Sequence, residues 1–149
     1  MTINPEPVAT GGAAGTVCSD EAFSYDPQSF VTNGIGATFD WSAVYDADLT
    51  GGATTGTGNI AETLTNLTGG PLTATYTVTP TSSANGCEGT PYDVTVTINP
   101  EPVATGGLAG TVCSDEAFSY DPQSFVTNGV GATFDWSAAY DAGLTGGAT

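Results

Sequence analysis

Apolar and polar residues alternate with period two along several short stretches of this chain. Leu72, Ala74, Tyr76 and Val78 share one face, and Thr73, Thr75, Thr77 and Thr79 share the other. Tyr92, Val94, Val96 and Ile98 repeat the arrangement with Thr95 and Thr97 outside. A third stretch turns Phe39, Trp41, Ala43 and Tyr45 inward and Thr38, Asp40, Ser42 and Val44 outward, while Phe23 and Tyr25 open a fourth. A strand sends successive side chains to opposite faces, so each stretch predicts a half-buried strand. Gly and Asn clusters (Gly11-Gly12, Asn33-Gly34, Gly51-Gly52, Gly56 to Asn59, Gly69-Gly70-Pro71, Asn85-Gly86) interrupt them at turn spacing. No stretch carries a helical period. Short strands, Thr-rich outer faces and a single Trp on a middle strand predict an all-β, seven-stranded, immunoglobulin-like antiparallel sandwich of about 100 residues.

The pattern also repeats. Thr2–Thr54 recurs as Thr97–Thr149, 95 positions on, with four differences: Ala13/Leu108, Ile35/Val130, Val44/Ala139 and Asp48/Gly143. Near identity at a fixed period is the mark of an array. Asn4-Pro5-Glu6-Pro7 and its copy Asn99-Pro100-Glu101-Pro102 mark the boundaries, because two prolines in four residues stop a central strand and stiffen a connector. The expected organisation is the end of a preceding repeat at 1–4, a complete repeat at 5–99, and the first half of the next at 100–149. Met1 stands where the second copy has Val96, inside a strand pattern, so the chain is expected to be a window on a longer array.

Charge narrows the function. The chain has no Lys, Arg or His against 16 Asp and Glu, a formal net charge of −16. Displacing counterions from nucleic acid phosphates takes cationic side chains, as does attraction to an anionic membrane surface, so neither partner is expected. No apolar run is long enough to span a membrane, and the start has no basic region of a signal peptide. With no His or Lys base and no Arg clamp, the inventory for catalysis is carboxylates, hydroxyls and three thiols, and no enzyme is expected. At 39% hydrophobic and 9% aromatic residues the chain is nonetheless rich enough to build a core.

Val17-Cys18-Ser19, Phe39-Asp40-Trp41, Gly56-Thr-Gly-Asn-Ile60, Thr65-Asn-Leu-Thr68, Ala74-Thr-Tyr-Thr-Val-Thr-Pro80, Gly86-Cys87 and Val94-Thr-Val-Thr-Ile-Asn-Pro100 follow one another in that order. This succession resembles the PKD-like repeats of giant Bacteroidota surface adhesins, including those of gliding motility. The resemblance covers the whole period. It implies an immunoglobulin-like sandwich, export to the cell surface, a role in adhesion, gliding or a surface filament, and no catalytic residues.

In an exported protein, cysteines recurring once per period read as a disulfide. Cys18 with Cys87 is the favoured pair, contributing ~4 kcal/mol by loop-closure entropy; Cys87 with Cys113, across the Pro-rich connector, is the rival. Acidic groups at Asp20-Glu21 and Asp46, with copies Asp115-Glu116 and Asp141, are the candidate ligands if calcium is the one cofactor, since extracellular modules bind it through clustered oxygens. The competing reading is an acidic surface that keeps repeats soluble and apart. Trp41 and Trp136 fall on the inward face and are expected in the core rather than as sugar-stacking platforms. Asn66-Leu67-Thr68 matches a glycosylation acceptor.

The expected function is therefore structural: a stalk or spacer of an extracellular surface adhesin, with neighbouring repeats as its partners. A self-polymerising filament subunit is the first alternative, because Thr-rich edges lack the Lys that usually guards against strand addition. A carbohydrate-binding accessory module is the second.

Overall fold

A computed structural model describes residues 1–146. The chain divides into two compact units, Met1–Glu101 and Pro102–Thr149. Nine strands lie in the first: β1 (Gly12–Cys18), β2 (Ala22–Tyr25), β3 (Ala37–Tyr45), β4 (Leu49–Thr50), β5 (Thr55–Thr57), β6 (Ile60–Thr63), β7 (Thr65–Asn66), β8 (Leu72–Ser82) and β9 (Tyr92–Asn99). One sheet has the order β1-β9-β8-β3-β5, and the opposing layer is made of the pairs β2-β6 and β4-β7. This is the expected immunoglobulin-like sandwich, all-β apart from single 3₁₀ turns at Pro27–Phe30 and Pro122–Phe125.

The alternation seen in the sequence is the packing. Ala74, Tyr76, Val78, Val94, Val96 and Ile98 point from β8 and β9 into the core, against Phe39 and Trp41 from β3 and Phe23, Tyr25 and Ile60 from the facing layer. Tyr76 is fully buried at the centre. Its ring meets Trp41 edge-on at 5.5 Å, with Phe23 at 5.9 Å and Tyr45 at 6.2 Å. Edge-to-face pairs at these separations add about 0.5–1.5 kcal/mol each beyond area burial.

All pairings in the large sheet are antiparallel except one. β1 runs parallel to β9, in register from Gly12 opposite Val94 to Cys18 opposite Asn99, with a bulge between Ala13 and Gly15. The first strand therefore points the same way as the last. The chain enters at one pole, where Ala9 bridges Val31 and the Asn33 amide donates to the Glu6 carbonyl at 2.8 Å. It leaves from Asn99 at the other. Along β8 the poles are Ser82, opposite Ala37, and Leu72, opposite Ile98. Eleven residues of strand place them about 35 Å apart.

The second unit holds nearly the same sequence in another condition. Residues 107–113, 117–120 and 132–140, the copies of β1, β2 and β3, form no strands among the described residues. The local entry-pole structure persists. Ala104 bridges Val126, the Val103 amide donates to Asn128 Oδ1 at 3.1 Å, and Asp121 caps the 3₁₀ turn as Asp26 does in the first copy. Strand formation here depends on cross-strand partners, which for the first copy are residues 55–99. One copy difference has a backbone reason: Asp48 has φ +73° and Gly143 φ +99°, left-handed conformations that Asp tolerates and Gly adopts freely.

Candidate functional site

The acidic groups singled out as calcium candidates converge on the exit pole of the first unit. There they serve the fold. Glu21 Oε2 accepts the Cys18 amide at 3.1 Å, and Asp46 Oδ2 accepts the Thr73 amide at 2.8 Å. Asp20, in a left-handed turn at φ +60°, takes the Thr65 hydroxyl on Oδ1. Each carboxylate ties down a strand end whose donors would otherwise lack partners. In the second unit Glu116 Oε2 accepts the Cys113 amide at 3.1 Å, Asp115 keeps φ +63°, and the Asp141 carbonyl accepts the Leu144 amide at 3.1 Å. Among the described residues, no three His, Cys, Asp or Glu side chains form a group able to hold a metal ion.

The structure does not bring the expected pair, Cys18 and Cys87, together. All three thiols are free, with Cys18 and Cys113 exposed and Cys87 half-buried. For Cys18 and Cys87 the reason is topological. Cys18 ends β1 opposite Asn99, at the exit pole, whereas the Cys87 carbonyl accepts the Ser82 amide at the entry pole. They sit on opposite ends of a sheet about 35 Å long, and a disulfide needs Cα atoms within about 7 Å.

The sequon is also spent. Asn66 is completely buried, and its side-chain amide donates to the Ile98 carbonyl at 2.8 Å and the Gly70 carbonyl at 2.9 Å. Its Oδ1 accepts from the Thr68 amide and hydroxyl. Such an amide welds β7 to the end of β9 and is out of reach of a glycosyl donor. Asn66 is thus a structural residue that the sequence motif misassigned.

Glu62 was missed altogether. Its Oε2 accepts the Tyr76 hydroxyl at 2.7 Å and the Tyr45 hydroxyl at 2.9 Å, and its Oε1 accepts the Ala53 amide at 2.8 Å. One carboxylate on the β6 edge thereby satisfies two core tyrosines and a loop. Burial, reinforced by the Glu62 hydrogen bond, pushes the Tyr76 hydroxyl far above the usual phenol range. Tyr45 is pushed up to about 12, chiefly by burial. The pattern Ile60-Ala-Glu-Thr reads as an ordinary edge strand and gives no signal of this role.

Trp41 is 8% exposed, as its inward phase requires, but Trp136 is 69% exposed. The same contrast holds between Phe23 at 8% and Phe118 at 68%. In the second unit Phe118, Tyr120, Pro122, Phe134 and Trp136 line an open, apolar hollow of about 740 Å³. The expected core position of Trp136 is not reached, because the strands that bury Trp41 come from residues 55–99 of the first repeat.

Among the described residues, no helix is long and apolar enough to cross a membrane. Comparison with curated proteins gave no match. A family model described as a PKD-like domain matches residues 15–102, from within β1 to the Pro-rich connector. The matched span contains every strand of the sandwich from β2 to β9, so the chain belongs to the family of PKD-like domains.

Proposed function

We propose that this chain is a structural repeat of an extracellular bacterial surface adhesin, of the kind the Bacteroidota use in adhesion or gliding, and that it serves as an extended stalk. PKD-like domains are typically extracellular and generally non-catalytic. The observation that carries the reading is the parallel β1-β9 pair. Were the terminal strands antiparallel, entry and exit would share a pole and repeats would fold back. With parallel terminal strands, each repeat is threaded from pole to pole, and the next begins where the last ended. The connector Asn99-Pro100-Glu101-Pro102 adds stiffness at the joint. Sixteen carboxylates and no side-chain cation keep neighbouring modules apart and leave no cleavage site for a trypsin-type protease. The carboxylates that cap strand ends give each bead a firm terminus. Calcium enters this reading as an addition of ions to an acidic surface.

Electron microscopy of a chain of several repeats tests the proposal. Single strings of beads support it; ordered, helically regular fibres would instead make the repeat a polymerising subunit.

A further inference from the structure

The chain between the entry-pole prolines and β1 is held by the repeat it leads into, and one side chain finishes the hold. From Glu6 to Thr10 it runs beside the stretch from Phe30 to Asn33. The Thr32 amide and hydroxyl both donate to the Val8 carbonyl, at 2.7 and 3.1 Å, and Ala9 bridges Val31. Asn33 extends the pairing by one residue: its Oδ1 accepts the Val8 amide at 3.2 Å, and its Nδ2 donates to the Glu6 carbonyl at 2.8 Å. A carboxamide carries an acceptor and a donor on one planar group. It therefore stands in for strand backbone at the point where the partner chain turns away through Gly34, at φ +70°. Pro7, between the two bonded groups, has no N–H to satisfy. Its ring is fully buried, and its carbonyl occupies the space that a β-carbon on Gly89 would take.

The second unit builds the same device. The Thr127 amide and hydroxyl donate to the Val103 carbonyl at 2.7 and 3.0 Å, and Ala104 bridges Val126. Asn128 Oδ1 accepts the Val103 amide at 3.1 Å, and Gly129 turns the chain at φ +73°. In the sequence, Asn33-Gly34 and Asn128-Gly129 read only as turn punctuation.

We infer that Asn33, and Asn128 in the second copy, is a positioning residue that locks the proline-rich connector onto the repeat it enters and so sets the stiffness of the joint. Asn99 ends β9, and Val103 is held by Thr127 and Asn128. Only Pro100-Glu101-Pro102 stands between them, and two of those three residues have φ fixed by their rings. Releasing Val103 lengthens the free chain, and a longer, less proline-rich connector is a softer one. The lock is a property of each repeat by itself. Its consequence for the joint rests on the stalk reading, because stiffness matters only where repeats are threaded from pole to pole.

Amide hydrogen exchange and nuclear magnetic relaxation of the full chain test the lock, with Asn33→Ala and Asn128→Ala made separately. The Val8 amide in the first variant and the Val103 amide in the second are expected to exchange about tenfold faster, as the loss of roughly one hydrogen bond requires. The core amide of Val94 accelerates several-fold less. Order at the Glu101 amide falls in Asn128→Ala and holds in Asn33→Ala, a split that a residue serving only the stability of its module does not produce. Asn128→Asp keeps an acceptor for the Val103 amide, so exchange there is slower than in the alanine variant. Unchanged exchange at Val8 and Val103, or equal acceleration at Val94, overturns the lock. Faster exchange at Val103 with Glu101 as ordered as before overturns its hold on the joint. A lock that behaves as expected in repeats that fold back on one another leaves this inference standing and removes the stalk.

Discussion

Trp41 and Gly56 face each other across the β3-β5 pair, and the indole fills the space that a β-carbon on residue 56 would occupy. The glycine is what lets the large ring lie flat over the edge of the sheet and still reach Tyr76. Gly56→Ala therefore forces the indole outward and costs about 1–3 kcal/mol through overpacking. Thermal melting and near-ultraviolet circular dichroism of Trp41 check this, and an unchanged melting point would show that the ring moves freely.

Glu62 is the only carboxylate joined to two core tyrosines, among the hydrogen bonds of the described residues. Glu62→Ala leaves the buried Tyr76 hydroxyl without its acceptor, at about 1–3 kcal/mol. Adding Tyr76→Phe to that variant is expected to recover part of the loss, because the stranded hydroxyl is then gone. If the double variant is less stable by the sum of the two single losses, the residues are not coupled.

Alkaline titration reports the same tyrosines. The chain has no Lys or Arg, so no side-chain cation overlaps the phenols in an alkaline titration. Tyr45 has its pKa raised to about 12, chiefly by burial, above the ordinary phenol value near 10. The folded state thus favours the protonated phenol. That stabilisation is complete below about pH 10 and is lost as pH rises through 12. Tyrosinate absorbance from Tyr45 and Tyr76 is expected to appear late and together with the loss of Trp41 ellipticity. Ionisation of Tyr45 near pH 10, with the fold intact, would contradict this.

Free thiols at the two ends of the sandwich make a further prediction. Under mild oxidation, a monomer is expected to yield no peptide linking Cys18 to Cys87, and alkylation of the unoxidised protein modifies all three cysteines. A Cys18–Cys87 cross-link within one chain, found by mass spectrometry, would mean that the poles approach each other in a way the parallel β1-β9 pair forbids.

Net charge without cations makes salt a stabiliser. Raising sodium chloride from about 0.01 to 1 M shortens the screening length from roughly 30 to 3 Å. The melting temperature of the first unit is expected to climb by several degrees. A flat or falling profile would show that the carboxylates do not repel one another across the surface.

The sandwich was legible because its strands are half-buried, and half-burial writes period two into the residues. Tyr76, Trp41 and Ile98 all stand on the face their phase predicts. The alternation was read from Leu72 to Thr79, whereas β8 continues to Ser82 with Pro80 opposite Phe39. The roles of polar residues were mostly not legible. Asn66 carries an exposed-looking motif but is buried, because what fixes it is the Ile98 carbonyl 32 positions away. The cysteine spacing resembled a disulfide framework, but strand direction placed the thiols apart, and sequence periodicity does not reveal whether terminal strands run parallel. Trp136 shows the converse: its phase is that of Trp41, yet it stands exposed, because phase alone does not bury a ring without facing strands.

Small-angle X-ray scattering of chains with two, four and six complete repeats is the most direct test of pole-to-pole threading. The maximum dimension is expected to grow by about 40 Å for each added repeat, the length of one sandwich plus its connector. Growth by much less, with the radius of gyration following a compact scaling, would show that repeats fold back on one another and would end the stalk account.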